Sequence, residues 1–384
     1  MLIEILGKFY DNHSLSIVNR NIALALSSIA PVQIIAVDRP NPVYKLDSNT
    51  IDTLIALETQ NGIPDIQLRH YYPPMLTWPE YKQTKVVYIQ PWEFVKVPTE
   101  WQYKFETFAD ALIVPSNFNR EVFVNSGMNP EKLFVVPNGY DHKVFNNENT
   151  TVTLPEVTES KFTFTFVGNT QWRKGLDILL AAWPKVFARA DRVRLIIKDN
   201  PGIYGKTNIL SNILKMQYVE QCAEIIYIDR DLSDKEMAAL YKSTDILVHP
   251  YRAEGFGMHV QEAMACGAVP MVSANGPTDD FVSDSQGIKI PVEQRLVNLT
   301  DESIFAVKPG ESLSLMGSYA YIFEPKIRDL ASLMYNTYHS HDRKEYLAQF
   351  KTDYVPNTWD HVARQYLKVL ETVNDIPFVQ RYKT

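Results

Sequence analysis

Two glutamates, Glu254 and Glu262, flank a glycine-containing turn in the stretch HPYRAEGFGMHVQEAMACG, residues 249–267. The apolar run at 246–249 predicts a buried strand, and MHVQEAMA after the turn predicts a helix. A glycine loop between a strand and a helix lets the backbone approach a ligand, and the helix start offers N–H groups to an anion. We therefore predict an anion cradle flanked by two carboxylates that accept from hydroxyl groups, which suits a nucleotide sugar.

A second anion-binding pattern lies upstream, in GNTQWRKGLDILLAAW, residues 168–183. A strand is predicted to end at Gly168, the loop carries Arg173 and Lys174, and a helix follows Gly175. Two cations at the carboxyl end of a strand can neutralise a diphosphate and the charge on its leaving group. The alternative is that Arg173 and Lys174 are a solvated basic pair.

Length, composition and charge favour a two-domain globular enzyme. The chain has 384 residues, which is more than one hydrophobic core usually holds. Hydrophobic residues make up 45% and charged residues 22%, as is ordinary for such proteins. The net charge of −7 and the lack of a polybasic run argue against a nucleic-acid partner. Two cysteines, Cys222 and Cys266, exclude a disulfide framework and fit a reducing compartment, so we expect a cytoplasmic protein.

Membrane association is expected to be peripheral at most. Residues 1–12 do not have the pattern of a signal peptide, and no apolar run approaches the roughly 20 residues of a membrane span. Residues 1–150 contain 12 basic and 16 acidic side chains, a balance that argues against stable docking to a membrane.

Short β-branched runs alternate with amphipathic stretches, which is the spacing of βαβ units with mostly parallel sheets. We predict strands at 2–6, 32–38, 65–71, 85–90, 111–116, 132–138, 162–168, 194–198, 224–229, 245–249 and 269–273. We predict helices at 16–28, 119–127, 176–189 and 358–373, and one that begins near Ser233 in a capping box with Glu236. A polar linker at 146–160 separates two similar halves, so we predict an α/β fold of two Rossmann-like domains.

The Glu254 stretch, together with AVPMVSANGPTDD at 268–280, resembles the signature of retaining GT-B glycosyltransferases of family 4. Lys174 with Gly175 resembles the family's phosphate clamp, and PNGYD at 137–141 resembles a motif between its domains. These matches span residues 85–280, and the last predicted helix, 358–373, shows a weaker resemblance to the family. Two departures stand out. Asn169 replaces the family's Arg after the first glycine, and Asn12-His13-Ser14 replaces Gly-Gly in the first βα loop.

The resemblance implies a GT-B fold, in which two Rossmann-like domains face a cleft and the C-terminal helix crosses back to the N-terminal domain. The implied domains are an acceptor-binding domain at 1–150, a nucleotide-sugar-binding domain at 151–355 and a returning helix at 356–384. The implied reaction transfers a sugar from a nucleotide diphosphate to an acceptor with retention of the anomeric configuration. No metal or other cofactor is implied, since cations and the helix dipole meet the phosphate charge.

The resemblance also implies roles for individual residues. Glu254, Lys174 and Arg173 form the catalytic set, with Arg173 as the replacement for the missing cation. The residues that bind the sugar donor are Asn169, Ile228, Arg230, Gly255, Phe256, Gly257, Met258 and Glu262. On the acceptor side the candidates are His13, Ser14, Arg69, Trp92 and Glu93. Ser14 is alternatively a cap of the following helix, His13 a surface histidine and Trp92 a core residue.

The implied co-substrate is a UDP- or GDP-sugar, and the implied acceptor is a glycan, a lipid-linked sugar or a protein. Four alternatives stay open: a catalytically impaired sugar-nucleotide-binding module, an epimerase or hydrolase of nucleotide sugars, a phosphorylase, and a metal-dependent GT-A enzyme. Asp229-Arg230-Asp231 has the D-x-D pattern of the last class. Glu254 is alternatively a nucleophile, and His339-Ser340-His341 is alternatively a metal ligand or a surface helix end.

Overall fold

The computed structural model describes residues 1–44, 46–148, 152–157, 160–200, 209–298, 319–350 and 357–377. It divides into two compact units. One unit comprises Met1–Trp92, Val97–Gly139 and Asn357–Thr384, and the other comprises Glu93–Lys96 and Tyr140–Pro356. The unit therefore changes at Gly139, inside the PNGYD motif. No helix in the described ranges is long and apolar enough to cross a membrane.

The first unit has a six-stranded sheet in the order β2-β1-β3-β4-β5-β6, and all its neighbouring strands are parallel. The strands are Ile3–Gly7 (β1), Val32–Ala36 (β2), Ile66–His70 (β3), Lys85–Ile89 (β4), Ala111–Val114 (β5) and Leu133–Val135 (β6). The helices are Ser14–Ser27 (α1), Ser48–Glu58 (α2), Thr99–Phe108 (α3) and Asn117–Asn125 (α4). The central strands β1, β3, β4 and β5 are buried along their whole length. Strand β5 is a continuous apolar run, as is typical of a strand covered on both faces, whereas β3 buries Gln67, Arg69 and His70.

The second unit has a six-stranded parallel sheet in the order β12-β11-β10-β7-β8-β9. The strands are Phe162–Val167 (β7), Val193–Lys198 (β8), Glu224–Ile228 (β9), Ile246–His249 (β10), Val269–Ser273 (β11) and Ile288–Ile290 (β12). An antiparallel hairpin adds Val292–Asn298 (β13) and Tyr319–Pro325 (β14). The helices are Leu176–Val186 (α5), Ile209–Tyr218 (α6), Asp234–Lys242 (α7), Met258–Ala265 (α8), Ile327–Tyr338 (α9) and Arg343–Ala348 (α10).

The C-terminal helix α11 (Trp359–Asp375) belongs to the first unit and packs on α1, so the predicted return of this helix is confirmed. Its apolar face is buried, with Val362, Leu370 and Val373 at 0% exposure. Lys85 at the start of β4 donates to the last carbonyl groups of the helix, at 2.6 Å to Val373 O and 2.8 Å to Asn374 O. The cation thereby satisfies carbonyl groups that have no partner within the helix.

Local sequence signals set most element ends. The capping box of Ser233 and Glu236 is present at the start of α7, as predicted. Helix α5 is shorter than its predicted range of 176–189, because Pro184 lies inside it and the helix ends at Val186. The start of α1 corrects one prediction: the cap is His13, whose Nδ1 accepts from Leu15 N at 3.3 Å, and Ser14 is the exposed first residue of the helix.

Candidate active site

The two motifs of the second unit meet where its strand order reverses. Strand β7 lies next to β10, and the chain winds outward from this pair in both directions. In doubly wound sheets the ligand binds at this switch point, beyond the carboxyl ends of the strands. The loop that carries Lys174 follows β7 and the loop that carries Glu254 follows β10, so the topology itself brings the two motifs together.

Lys174 and Glu254 form a buried ion pair at this point. Lys174 Nζ lies 2.5 Å from Glu254 Oε2, and the two side chains are only 12% and 9% exposed. His249, at the end of β10 and fully buried, places its Nε2 2.8 Å from the same oxygen. The other oxygen, Oε1, accepts from Gly255 N at 3.0 Å. The alternative of a solvated basic pair is therefore wrong for Lys174.

This environment fixes the charge of Glu254. Burial alone would raise the pKa of Glu254, but the Lys174 ammonium and the hydrogen bond with His249 outweigh burial and hold that pKa well below its ordinary value. Burial lowers the pKa of Lys174, against the opposing influence of Glu254. Burial likewise lowers the pKa of His249, which leaves the imidazole neutral. Glu254 is thus an oriented carboxylate rather than a proton donor.

Arg252 fastens the Lys174 loop to the Glu254 loop. Its guanidinium makes a bidentate pair with Asp177, at 2.8 and 2.7 Å, and its Nε lies 2.9 Å from both oxygens of Glu324. The same guanidinium donates to Trp172 O at 2.6 Å and lies over the Trp172 ring, 4.2 Å from its centroid. The backbone N–H of Arg252 donates to Arg173 O at 2.7 Å. Arg252 therefore holds the two loops in register.

Gly175 explains why the Lys174 loop requires a glycine. It has φ of +74°, a left-handed conformation, and a Cβ at this position would lie 1.8 Å from Pro250 O. Any side chain would push the loop away from the end of β10 and would separate Lys174 from Glu254.

Arg173 is also directed into the second unit. Its Nη2 lies 3.3 Å from Glu93 Oε1, and its Nη1 donates to Ala253 O at 3.4 Å. Glu93 was predicted as an acceptor-side residue, but it belongs to the second unit, where it is the counter-ion of Arg173.

The helix after the glycine turn begins at the switch point. Gly257 is its cap with φ of +96°, and α8 starts at Met258, so the N–H groups of its first turn are available to an anion. Gly255 is buried beside Glu254, and Phe256 is buried against Phe281 with ring centroids 5.1 Å apart. The Phe256 ring therefore anchors the turn.

Glu262 lies in α8, as predicted, and Tyr241 in α7 donates to its Oε2 at 3.0 Å. Burial raises the pKa of Glu262 to about 8, although the Tyr241 hydrogen bond lowers it and Asp234 raises it further. The carboxyl group is thus protonated at neutral pH before any ligand binds.

The remaining predicted donor-side residues lie at the ends of β7 and β9. Asn169 is buried, and its Oδ1 accepts from Gln171 N at 3.0 Å, so it shapes the loop and supplies no cation. Ile228 is the last residue of β9 and is buried. The guanidinium of Arg230 pairs with Glu156 at 2.8 Å and with Glu236 at 2.7 Å, which leaves its backbone for contact with a base.

The acceptor-side candidates of the first unit are dispersed. His13 follows β1, where it caps α1, and Ser14 is exposed beside it. The Trp92 ring is 1% exposed and packs edge-on against Trp101, so the structure shows the core alternative for Trp92. Arg69 is buried and donates within its own unit, to Gln67 Oε1 at 2.6 Å among other acceptors, so a contact with an acceptor would require those bonds to be exchanged.

Sequence reasoning passed over two residues of this site. His249 stands in the quoted motif but was not given a role, and Arg252 is two positions before Glu254. A buried strand that ends in His and an Arg beside the key carboxylate were available signals. The partners that give Arg252 its role, Asp177 and Glu324, are 75 and 72 residues away in the chain.

The same region holds one set of potential metal ligands in the described residues: His249, Glu254 and His259.

Comparisons with known proteins agree with this geometry. Residues 154–321 match the family of glycosyl transferases group 1. A D-inositol 3-phosphate glycosyltransferase of Segniliparus rotundus is 29% identical over 153 residues, which cover 38% of this chain and 32% of that protein. A GDP-mannose-dependent alpha-mannosyltransferase of Corynebacterium glutamicum is 25% identical over 198 residues, which cover 50% of this chain and 43% of that protein. The chain thus spans less than half the length of these curated relatives.

The crystal structure of Alr3699/HepE of Anabaena with UDP and glucose has a TM-score of 0.57 and 14% identity, and the match covers 97% of this chain and 100% of that one. At this identity the likeness concerns the fold. Two units with doubly wound parallel sheets, together with the returning α11, confirm the predicted GT-B fold. The match to glycosyl transferases group 1 covers residues 154–321, so it concerns the second unit.

Proposed function

We propose that this protein transfers a sugar from a nucleotide diphosphate to an acceptor hydroxyl, without a metal ion and with retention at the anomeric carbon. The observation that carries the proposal is the buried Lys174–Glu254 pair at the switch point, next to the N-terminus of α8. A cation, an oriented carboxylate and a helix start at the switch point complement a diphosphate joined to a polyhydroxylated ring.

In the proposed complex the donor diphosphate lies between the Lys174 loop and the first turn of α8. Lys174 and Arg173 donate to the phosphates, together with backbone N–H groups of Phe256, Gly257 and Met258. Glu254 accepts from hydroxyl groups of the transferred sugar. Glu254 is ionised and held on both oxygens, so it presents acceptors of fixed direction.

The nucleoside end of the donor is proposed to extend towards β9. Glu262 binds the ribose hydroxyls, and the base lies against the backbone from Ile228 to Arg230. A protonated Glu262 both donates and accepts hydrogen bonds, which suits a diol. Asn169 contributes the shape of the loop through its bond to Gln171 N.

The proposed chemical step forms one bond and breaks one. The acceptor oxygen bonds to the anomeric carbon as the bond from that carbon to the β-phosphate oxygen breaks. The acceptor proton passes to a β-phosphate oxygen, and the nucleoside diphosphate leaves. Lys174, Arg173 and the dipole of α8 stabilise the negative charge that develops on the leaving group. Glu254 orients the sugar and is not the nucleophile, because Lys174 and His249 both lie within hydrogen-bonding distance of its Oε2.

The donor is proposed to be a UDP- or GDP-sugar. The mannosyltransferase relative is GDP-mannose-dependent by its name, and HepE was solved with UDP. The acceptor is proposed to be a glycan, a lipid-linked sugar or a protein, bound by the first unit near His13. The two cysteines are free and buried, which supports a cytoplasmic location.

The test is turnover in the presence of EDTA, with release of nucleoside diphosphate and the anomeric configuration of the product both followed by NMR. The expected result is transfer with the donor's configuration retained, and its loss in Lys174→Met. Inversion of configuration would contradict the proposed step. Binding of a nucleotide sugar without turnover, across a panel of acceptors, would favour the binding-module alternative. Dependence on a divalent ion would favour the metal-dependent alternative.

A further inference from the structure

His249 and His259 form a pair of imidazoles beside Glu254 that the proposed reaction does not use. Their ring centroids are 4.2 Å apart and the rings are nearly perpendicular, at 89°. One potential ligand atom from each of His249, Glu254 and His259 lies within 4.8 Å of the other two. The three residues come from the end of β10, from the loop and from the first turn of α8, so one unit holds them together.

Two ring nitrogens of this pair lack hydrogen-bond partners. Nδ1 of His249 and Nε2 of His259 are both out of contact with solvent, and neither has a partner among the residues that the structure describes. A buried polar atom without a partner costs about 1–3 kcal/mol, so such atoms are rare in proteins. Nε2 of His259 therefore indicates a position for something that the protein chain does not itself supply. Nδ1 of His249 lies across its ring from the Nε2 that contacts Glu254, so it cannot share an ion with that carboxylate.

We propose that His249, Glu254 and His259 bind a transition-metal ion such as Zn²⁺. Two imidazoles and a carboxylate are a familiar three-residue ligand set for zinc, with the fourth position open. Ligand atoms 2.0–2.1 Å from a tetrahedral zinc lie about 3.3 Å from one another. His249 Nε2 and Glu254 Oε2 are 2.8 Å apart, and the three ligand atoms lie within 4.8 Å of one another, so the hydrogen bond between His249 and Glu254 must open for an ion to bind. Imidazole ligands select zinc, cobalt, nickel or copper over magnesium.

Lys174 competes with the metal ion for Glu254. Its ammonium lies 2.5 Å from Oε2, the oxygen that faces His249. A divalent ion on that oxygen would lie within a few ångström of the ammonium, and two positive charges at that spacing repel strongly in a buried site. Metal binding therefore displaces Lys174 from Glu254. The consequence is inhibition of transfer by Zn²⁺, and this consequence, unlike the binding itself, rests on the proposed function.

The test is calorimetric titration of Zn²⁺ into the full chain after treatment with a chelator, with the visible absorption of bound Co²⁺ as a second readout. The expected result for the wild type is one zinc ion and a Co²⁺ spectrum of low coordination number. His259→Ala is the decisive variant, since His249→Ala would empty a fully buried position. Loss of a direct ligand should weaken zinc binding at least about 100-fold, more than the loss of an outer-sphere partner does.

Two further variants sharpen the result. Lys174→Met removes the competitor and should tighten zinc binding. His339→Ala with His341→Ala, a surface pair in the same unit, should leave zinc binding unchanged. Equal zinc affinity in the wild type and His259→Ala would overturn the proposal, as would the absence of zinc binding. Zinc binding by a protein that shows no transfer activity in its metal-free state would contradict the proposed function and leave the metal site standing.

Discussion

Lys174 and Glu254 are 80 residues apart in the sequence, yet Nζ of one lies 2.5 Å from Oε2 of the other. The pair exists because β7 and β10 are neighbours at the switch point of the second sheet. Gly175 and Arg252 hold the two loops at the separation that the pair needs. The chemistry that we propose depends on this one contact.

We predict that Lys174 and Glu254 are strongly coupled in stability. Removal of one buried charge leaves the other uncompensated, which should cost roughly 3 kcal/mol in the free energy of unfolding. The double variant Lys174→Met with Glu254→Gln should cost less than the sum of the two single variants. Urea unfolding of the four proteins measures the coupling.

The matched control is Lys104→Met. Lys104 also lies 2.5 Å from a glutamate, Glu100, but these side chains are 41% and 40% exposed. Its removal should change stability by about 0.5 kcal/mol or less. Additive effects at Lys174 and Glu254 would contradict a buried pair. The single variants Lys174→Met and Glu254→Gln should both stay folded and lose most transfer activity.

The strands β1 to β11, the glycine turn and the helix that carries Glu262 were predictable, because each depends on local residue pattern, whereas β12, β13 and β14 were not predicted. The close packing of Gly139 could not be predicted, because it depends on a residue far along the chain: a Cβ at Gly139 would lie 2.9 Å from Trp359, at the start of the returning helix. The His13 cap was missed because Ser is the commoner capping residue. The role of Arg252 depends on Asp177 and Glu324, which only the folded sheet brings near.

Glu262 should make stability depend on pH above neutrality. Its pKa is about 8 in the folded chain against an ordinary 4.5, because its carboxyl group is buried. An acid whose pKa is raised by folding contributes stability below its unfolded pKa, and that contribution is lost as the pH rises through the folded pKa. From pH 7 to pH 9 the loss should be roughly 1 kcal/mol. Glu262→Gln cannot ionise, so urea unfolding should show a smaller loss in its free energy of unfolding between pH 7 and pH 9. An identical pH dependence in both proteins would refute the raised pKa of Glu262.

Arg252→Lys should separate the two loops although it keeps the charge. A lysine cannot reproduce the bidentate contact with Asp177 together with the bonds to Glu324 and Trp172 O. We expect a loss of roughly 2 kcal/mol in stability and weaker binding of the sugar donor. Arg39→Lys is the control, since Arg39 is 74% exposed on its side chain, pairs with Glu58 and lies in the first unit. An unchanged affinity for the sugar donor in Arg252→Lys would contradict the role of Arg252 in holding the two loops together.

Lys85→Met should loosen the C-terminal helix. The ammonium donates to Val373 O and Asn374 O, and methionine keeps the apolar stem but removes this donor, which leaves Val373 O with its 3.2 Å bond from Ile376 N. The expected cost is roughly 2 kcal/mol, with faster amide hydrogen exchange in 359–375 than in the wild type. Lys104→Met again serves as the control. Unchanged exchange in α11 would show that its apolar face alone holds it.

The central claim is a nucleotide diphosphate site built on Lys174 and Glu254, and a thermal-shift panel tests it most directly. UDP, GDP, ADP, dTDP and CMP are each added to the wild type and to Lys174→Met, with and without EDTA. A ligand at 100 times its dissociation constant adds about 2.7 kcal/mol, which raises Tm by a few degrees. We predict a rise with UDP or GDP that persists in EDTA and is absent in Lys174→Met. A rise that requires a divalent ion, or one that is the same in Lys174→Met, would contradict the claim.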